Sequence, residues 1–464
     1  MVASETQVET PTLYFHRAGV CLHLVDVPTN SKAGTPKCPQ LVPLSSPELR
    51  SFELDLLSHT YSHKAPFATV RTPMQSLSVT MHFPAELAYT SEGSEIRLLC
   101  HEPLRRVRVL PSYTQFHSGI RVYHIALIPD VSFSEYDLIK LIKLYGGQEE
   151  GVTLTDKVAF SLEEGRQIPL MELVGKAFEK ESVGKMPLVA ATVEVVTENA
   201  ESLSFNWQVL WDIINLIPTN KKQAIVEIDK LLRQQDSSGK VVKALSGIVQ
   251  GIFNFEKTDA AELVDVLEPT VGETAGLMRM HKGTLLYLCQ EDRAFEACYH
   301  TLGVSPYLLT PHAVLLHNEA VTSKGEELLN EAQSKKSLGK QENLYAEAEH
   351  RLNGELLPNV FHYSTERLLF ERGFISRGLS DRLNAKLRQS QAVATRIEAR
   401  QQQKQRRSDC LIQLFLGILS SWAAGEVVFK LLDTTTVWRW LLAGTVVAVA
   451  VAAIIVVHLV AQRR

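Results

Sequence analysis

Among 464 residues the chain has only six cysteines, no Cys-x-x-Cys pair and no basic excess, its formal net charge being −4. Cys21, Cys38, Cys100, Cys289, Cys298 and Cys410 are too scattered for a disulfide framework or a zinc knuckle, so buried free thiols in a reducing compartment are expected. The missing basic excess argues against nucleic acid as a partner. No Walker phosphate loop, Gly-x-Gly-x-x-Gly, Gly-x-Ser-x-Gly or His-Glu-x-x-His occurs, and with them go the commonest enzyme signatures. The start, Met1-Val2-Ala3-Ser4-Glu5-Thr6, lacks a basic segment followed by an apolar one and carries an acid, unlike a secretory or transit peptide. Long apolar runs are also lacking until about residue 410, after which they dominate.

The cleaner of the two late runs is Trp440 to Val460, WLLAGTVVAVAVAAIIVVHLV, with His458 as its only ionisable residue. At 1.5 Å per residue it is about 31 Å long, the thickness of the hydrocarbon layer. Trp438 and Trp440 stand at its entry and Arg463 and Arg464 at its exit. The other run, Cys410 to Leu432, contains Gln413, Ser420, Ser421 and Glu426. Polar residues in a span face protein or water rather than lipid, which makes these four the candidates for a pore or a polar helix contact. Glu426 also suits the outer interface, close to Lys430 and Asp433. Arg396, Arg400, Lys404, Arg406 and Arg407 precede the first span, Arg463 and Arg464 follow the second, and the short connection has only Arg439. The charge bias predicts a two-pass protein of the cell (inner) membrane with both ends in the cytoplasm.

Upstream, a helical stretch is expected from about Asn359 to Ser408, with Pro358 at its start or at a kink. Leu379, Leu383, Leu387, Val393 and Ile397 recur at roughly helical spacing. From Arg382 to Arg407 the only acid is Glu398. Two readings of the basic cluster stay open. Arg396, Arg400, Lys404, Arg406 and Arg407 can meet anionic headgroups of membrane lipid. Alternatively, Arg400, Lys404 and Arg407, on one helix face, can stack into cationic rings in a symmetric oligomer.

The soluble part reads as an α/β domain over 1–200. Tyr14 to Val27, Ser76 to Phe83, Ile120 to Ile128 and Pro187 to Thr197 have strand composition, and Ser134 opens a capped helix that ends at Gly146-Gly147. From about Asn206 the pattern reads helical throughout, giving a helical region over 201–340, a stalk helix over 341–409 and a membrane hairpin over 410–464. Tyr307, His312 and His317 read either as structural residues where Pro306 and Pro311 fit a turn opening a helix, or as contacts for a regulatory ligand. Five residues apart, the two histidines fall on different helix faces, which argues against joint metal ligation.

This order of a cytoplasmic α/β domain, a helical region, a long stalk helix and a two-helix transmembrane hairpin resembles the CorA superfamily of magnesium channels. The features that carry it are the stalk at 359–408, the spans at 411–432 and 440–460, the Trp438-Arg439-Trp440 entry and the Gln462-Arg463-Arg464 end. The Gly-Met-Asn signature expected after the first span is replaced by Gly425-Glu426-Val427 and then Lys430-Leu431-Leu432-Asp433. The resemblance implies a homo-oligomer, most simply a pentamer, that conducts cations. CorA-like proteins also serve as membrane effectors of bacterial defence systems, opened by a small-molecule signal. No cofactor is fixed by a motif, and a divalent cation is compatible with the resemblance. A membrane-anchored scaffold or sensor without conduction is the alternative.

Overall fold

In the computed structural model the described residues are 4–27, 47–61, 65–71, 76–91, 94–146, 158–162, 165–178, 188–202, 206–234, 238–271, 276–281, 283–290 and 292–431, with six positions between 440 and 452. The second span and the pair Arg463-Arg464 therefore lie wholly or mostly outside them, as does Cys38. Strands dominate the first part: β1 (Ser4–Val8), β2 (Leu13–Asp26), β3 (Phe67–Arg71), β4 (Leu77–His82), β5 (Glu86–Ser91), β6 (Ser94–Leu99), β7 (Leu104–Phe116), β8 (Arg121–Pro129) and β9 (Phe133–Ser134), with α1 (Pro47–Leu56) between β2 and β3. Next come α2 (Glu135–Gly146), β10 (Ala159–Ser161), β11 (Gln167–Pro169), α3 (Leu170–Ala177) and β12 (Leu188–Ser202). Helices α4 (Trp207–Leu216), α5 (Lys221–Arg233), α6 (Ser238–Gln250) and α7 (Ala260–Leu267) lead to β13 (Gly276–His281) and β14 (Thr284–Cys289). The rest is α8 (Arg293–Cys298), α9 (Pro306–Ser334), α10 (Leu338–His350), α11 (Ser364–Ser376) and α12 (Leu379–Leu431).

The expected strands and the capped helix are present. Ser134 and Asp137 close the N-terminus of α2 reciprocally, the Ser134 amide donating to Asp137 Oδ2 at 2.9 Å and the Asp137 amide to Ser134 Oγ at 3.2 Å. The principal sheet runs β11-β10-β4-β7-β8-β2-β12-β14-β13, with β3 on β7 and β9 on β2. Its pairings are antiparallel except for β12 with β14. A separate three-stranded sheet has the order β1-β6-β5.

Alternation along each strand sorts side chains onto two covered faces. Val20, Leu22 and Leu24 of β2, Tyr123, Ile125 and Leu127 of β8, and Val193 and Val195 of β12 share a core with α2 to α7. Cys21, Val122, Ala126, Leu285 and Tyr287 share the other with Leu49 of α1, Phe295 of α8, Leu308 to Leu316 of α9, and Leu369 and Phe370 of α11. Cover on both faces explains why β8 and β14 are apolar almost throughout, each buried side chain contributing about 1.5–3 kcal/mol.

That cover also corrects the all-helical expectation after Asn206. Thr284-Leu285-Leu286-Tyr287-Leu288-Cys289 is buried at every position and pairs in parallel with β12, so the sheet extends beyond the expected 1–200 domain. A short apolar run has no period that separates a buried strand from a helix.

The expected stalk is corrected as well. After α10 and a π turn over Arg351–Glu355, the chain is extended around Pro358. It bonds to the end of α1, the Ser58 amide donating to the Val360 carbonyl at 2.8 Å. Helix α11 ends at Gly378, whose φ of 65° is left-handed and favours glycine. Only then does the long helix begin, and it runs 53 residues without a break through the expected stalk–span boundary at 409.

The chain divides into two compact units, Met1–Gly325 with His350–Ala385, and Glu326–Glu349 with Lys386–Arg464. Within the second, Lys386 bonds Glu326 at 2.7 Å and Gln389 bonds Asn330 at 2.8 Å, a turn further along both helices, so α12 runs parallel to the end of α9. Val393 and Ile397 are buried, whereas Leu387 is exposed.

Candidate functional site

At the centre of the principal sheet, on the face beneath α9, a line of polar side chains replaces the expected apolar ones. Strand register puts His23 of β2 directly opposite His124 of β8, and their Nδ1 atoms lie 2.8 Å apart. His23 Nε2 meets Thr192 Oγ1 of β12 at 2.8 Å, and the same hydroxyl meets His312 Nδ1 of α9 at 2.8 Å. In the other direction His124 Nε2 meets Thr114 Oγ1 of β7 at 2.8 Å, which meets Thr69 Oγ1 of β3 at 2.9 Å. Glu53 of α1 closes this end, its Oε1 accepting from the Thr69 amide at 2.6 Å. The three histidines, Thr114, Thr192 and Glu53 are wholly inaccessible to solvent.

A neutral imidazole offers one donor and one acceptor, and a hydroxyl offers both, so the line is a directional hydrogen-bond chain with two possible polarities. Either polarity leaves His312 Nε2 at one end, buried and without a hydrogen-bond partner among the described residues. Burial holds His23 and His312 far below the ordinary histidine range, with nearby histidines and Arg377 adding to it, and burial lowers His124 to about 3. At the far end burial raises the Glu53 carboxyl, against the opposing effect of hydrogen bonds from Thr69. A proton placed on any of the three imidazoles would therefore be expensive, and they work with the threonine hydroxyls as neutral dipoles.

A second buried acid anchors the start of α9. Glu194 Oε2, on the same face of β12 as Thr192, accepts from the Ser305 amide at 2.6 Å. Burial, then the charge of Asp292, raises Glu194 far above the usual carboxyl range. This bond fixes Ser305, whose hydroxyl accepts from the Tyr307 amide at 3.3 Å in the first turn of α9.

The expected ligand contacts are redistributed by this packing. His312 belongs to the buried chain. His317 stacks on Phe116 at 4.2 Å, meets Ser118 Oγ at 2.8 Å and donates from Nδ1 to Asn318 Oδ1 at 3.2 Å. Both are shut off from solvent, so neither can meet a ligand arriving from outside in this conformation. Tyr307 is partly exposed and donates to Asp55 Oδ2 at 2.8 Å, while Tyr363 donates to Oδ1 of the same carboxylate. An open groove of about 470 Å³ lies elsewhere, between β13 and α11, lined by Glu268, Thr270, Arg279, Met280, Arg372 and Ile375.

His317 gives a pH signature. Burial lowers its pKa to about 4, below the ordinary 6.5, so only the unfolded chain takes up its proton as pH falls below 6.5. Its share of stability is full above that value and is lost as pH falls toward 4. Glu135, raised by burial to about 7, and Glu194 act in the opposite sense, so the whole-protein slope is shallower. The expected result concerns the difference: between pH 7 and pH 5 the unmodified chain should lose about 2 kcal/mol more than His317→Gln. Urea unfolding of both in detergent at the two pH values measures it.

Along α12, Arg396, Arg400, Lys404, Arg406 and Arg407 are all exposed. Arg400 reaches Gln341 Oε1 at 2.7 Å within the same unit. Beyond Cys410, Leu411, Ile412, Phe415, Leu416, Leu419 and Trp422 are half or more exposed, and an 18-residue window here has mean hydropathy 1.5. This is one helix long and apolar enough to cross a membrane. Ser420 and Ser421 donate back to the Leu416 and Gly417 carbonyls at 2.7 and 2.8 Å. Their hydroxyls are thus satisfied within the helix and do not require a polar neighbour. A stripe that sequence reading missed, Gly417, Ser421 and Gly425 at intervals of four, is the least exposed line on this segment along with Cys410 and Leu414. No family model, no curated protein and no solved structure matches the chain.

Proposed function

We propose that the chain is a subunit of an oligomeric, two-pass membrane channel or transporter for cations, of CorA-like plan, controlled by a small molecule bound to its soluble part. The observation that carries this reading is the continuity of α12. One helix leaves the Gly378 turn and continues through the basic segment into an exposed apolar stretch ending at Leu431. Arg372 and Ile375, which line the open groove, lie on α11 within two turns of that starting point. A ligand that prefers one placement of α11 would bias the Gly378 turn at which α12 starts.

Trp440 to Val460 forms the second span of the hairpin, and the basic flanks keep both chain ends in the cytoplasm. The small residues Gly417, Ser421 and Gly425 suit close packing against another membrane helix, in keeping with a homo-oligomer, a pentamer by the resemblance. Gln413 and Glu426 remain the polar candidates for the conduction path. Arg400, Lys404 and Arg407 would form rings that oppose cations, close pairs repelling by about 4 kcal/mol at an effective dielectric near 20.

One observation favours the second reading, a membrane-anchored sensor without conduction: Arg400 is already held by Gln341 of its own chain. Cation flux into liposomes carrying the purified protein separates the two. Flux above that of protein-free vesicles is expected, with a several-fold higher resting leak when Arg400, Lys404 and Arg407 are all changed to glutamine. No flux from either protein would sink the channel and leave the sensor. Equal flux from both would assign the cluster to lipid headgroups.

A further inference from the structure

We propose that Cys21, His23 and His124 form a binding site for one thiophilic transition-metal ion, monovalent copper in preference to zinc. The Cys21 sulfur and one ring nitrogen from each histidine lie within 4.8 Å of one another, and all three residues are completely buried. The sheet makes this cluster. Cys21 and His23 are two apart on β2 and so share its face, while register sets His124 across from His23. Both Nδ1 atoms point at each other, and both Nε2 atoms point at threonine hydroxyls, Thr192 for His23 and Thr114 for His124. That is how metal-binding imidazoles are held: one nitrogen on the ion, the other donating its N–H to an oxygen that fixes the ring.

Two imidazole nitrogens on one ion, each about 2.0 Å from it, stand roughly 3.4 Å apart. The observed 2.8 Å is hydrogen-bond geometry, so binding requires the rings to spread by about half an ångström and gives both of them the Nε2–H tautomer. One threonine hydroxyl rotates to accept. The balance is simple: the Cys21 S–H bond breaks, an S–Cu bond forms, one proton leaves, and no electrons are exchanged.

Charge selects the ion. No carboxylate belongs to this group among the described residues. A thiolate with monovalent copper is neutral, whereas the same ligands with zinc keep a positive charge in a pocket closed to water. Thiolate and imidazole are both good ligands for copper, and three of them complete a trigonal site.

The test uses the full-length chain purified from cells supplied with copper, under reducing conditions. One copper per chain is expected, retained against a competing copper(I) chelator, with an X-ray absorption edge fitted by one sulfur and two nitrogen neighbours. Cys21→Ala should lose the sulfur neighbour and at least tenfold in affinity. Loading of the apo chain with copper(I) should release one proton per ion. Copper at background level, or a bound ion with no sulfur neighbour in the unmodified chain, overturns the proposal without relying on any variant. Zinc retained in place of copper overturns the charge argument. None of these outcomes depends on whether the protein conducts ions.

Discussion

Gly19→Ala is expected to prevent folding of the sheet domain. A Cβ at Gly19 would stand 1.7 Å from the Gly303 carbonyl oxygen and 2.9 Å from its carbon. Both are backbone atoms, and neither side can retreat. Gly19 lies in β2, paired with β12 at Glu194 and embedded in the middle of the sheet. Gly303 has a left-handed φ of 77°, and its own missing Cβ would meet Ala126 at 2.6 Å. Ordinary overpacking costs about 1–3 kcal/mol, and a backbone clash of this size should exceed that, against a total stability of about 5–15 kcal/mol. The variant should therefore be recovered as aggregate or melt far below the parent. Gly339→Ala in α10, where a Cβ meets nothing within 4 Å among the described residues, serves as the control and should fold normally. A parental melting temperature for Gly19→Ala would show that the Gly303 turn does not rest on β2.

Thr192→Val should cost nearly as much by a different route. Valine has threonine's shape, so the sheet stays packed, but one hydroxyl serves both His23 Nε2 and His312 Nδ1. Its loss strands two buried ring nitrogens at about 1–3 kcal/mol each, roughly 2–6 kcal/mol together. Thr192→Ser keeps the hydroxyl and should restore most of the difference. Urea midpoints of the three proteins decide the matter. A valine variant with the parental midpoint would show that the two hydrogen bonds of the Thr192 hydroxyl contribute nothing.

Sequence and structure agree most where the physics is local. The strands at 14–27, 76–83, 120–128 and 187–197 were legible from β-branched and alternating residues, and α2 from the Ser134 and Asp137 cap. The failures have equally specific causes. Strand β14 reads like a helix because both of its faces are buried, which removes the alternation. The interruptions on either side of α11, at 351–363 and at 377–378, have no signal in helical spacing, since Leu57 and Phe361 form a bridge only in the folded chain. Ser420 and Ser421, polar candidates by residue type, also donate to the carbonyls of their own helix, which residue type alone does not reveal.

The histidine chain had almost no signal in the sequence. His312 stood out for its neighbours, but His23, His124 and Thr192 are ordinary in isolation, and His23 and His312 are far apart in the chain. What the sequence by itself determined is what depends on near neighbours and summed hydropathy: alternation, caps, the apolar run after Cys410 and the basic residues before it. What only the tertiary structure decided is which polar side chains meet. Pairing register places His23 opposite His124, the Gly19–Gly303 contact seats the turn that opens α9 over β2, and α9 then brings His312 to Thr192. Such meetings depend on contacts between distant segments, whose register no local pattern encodes.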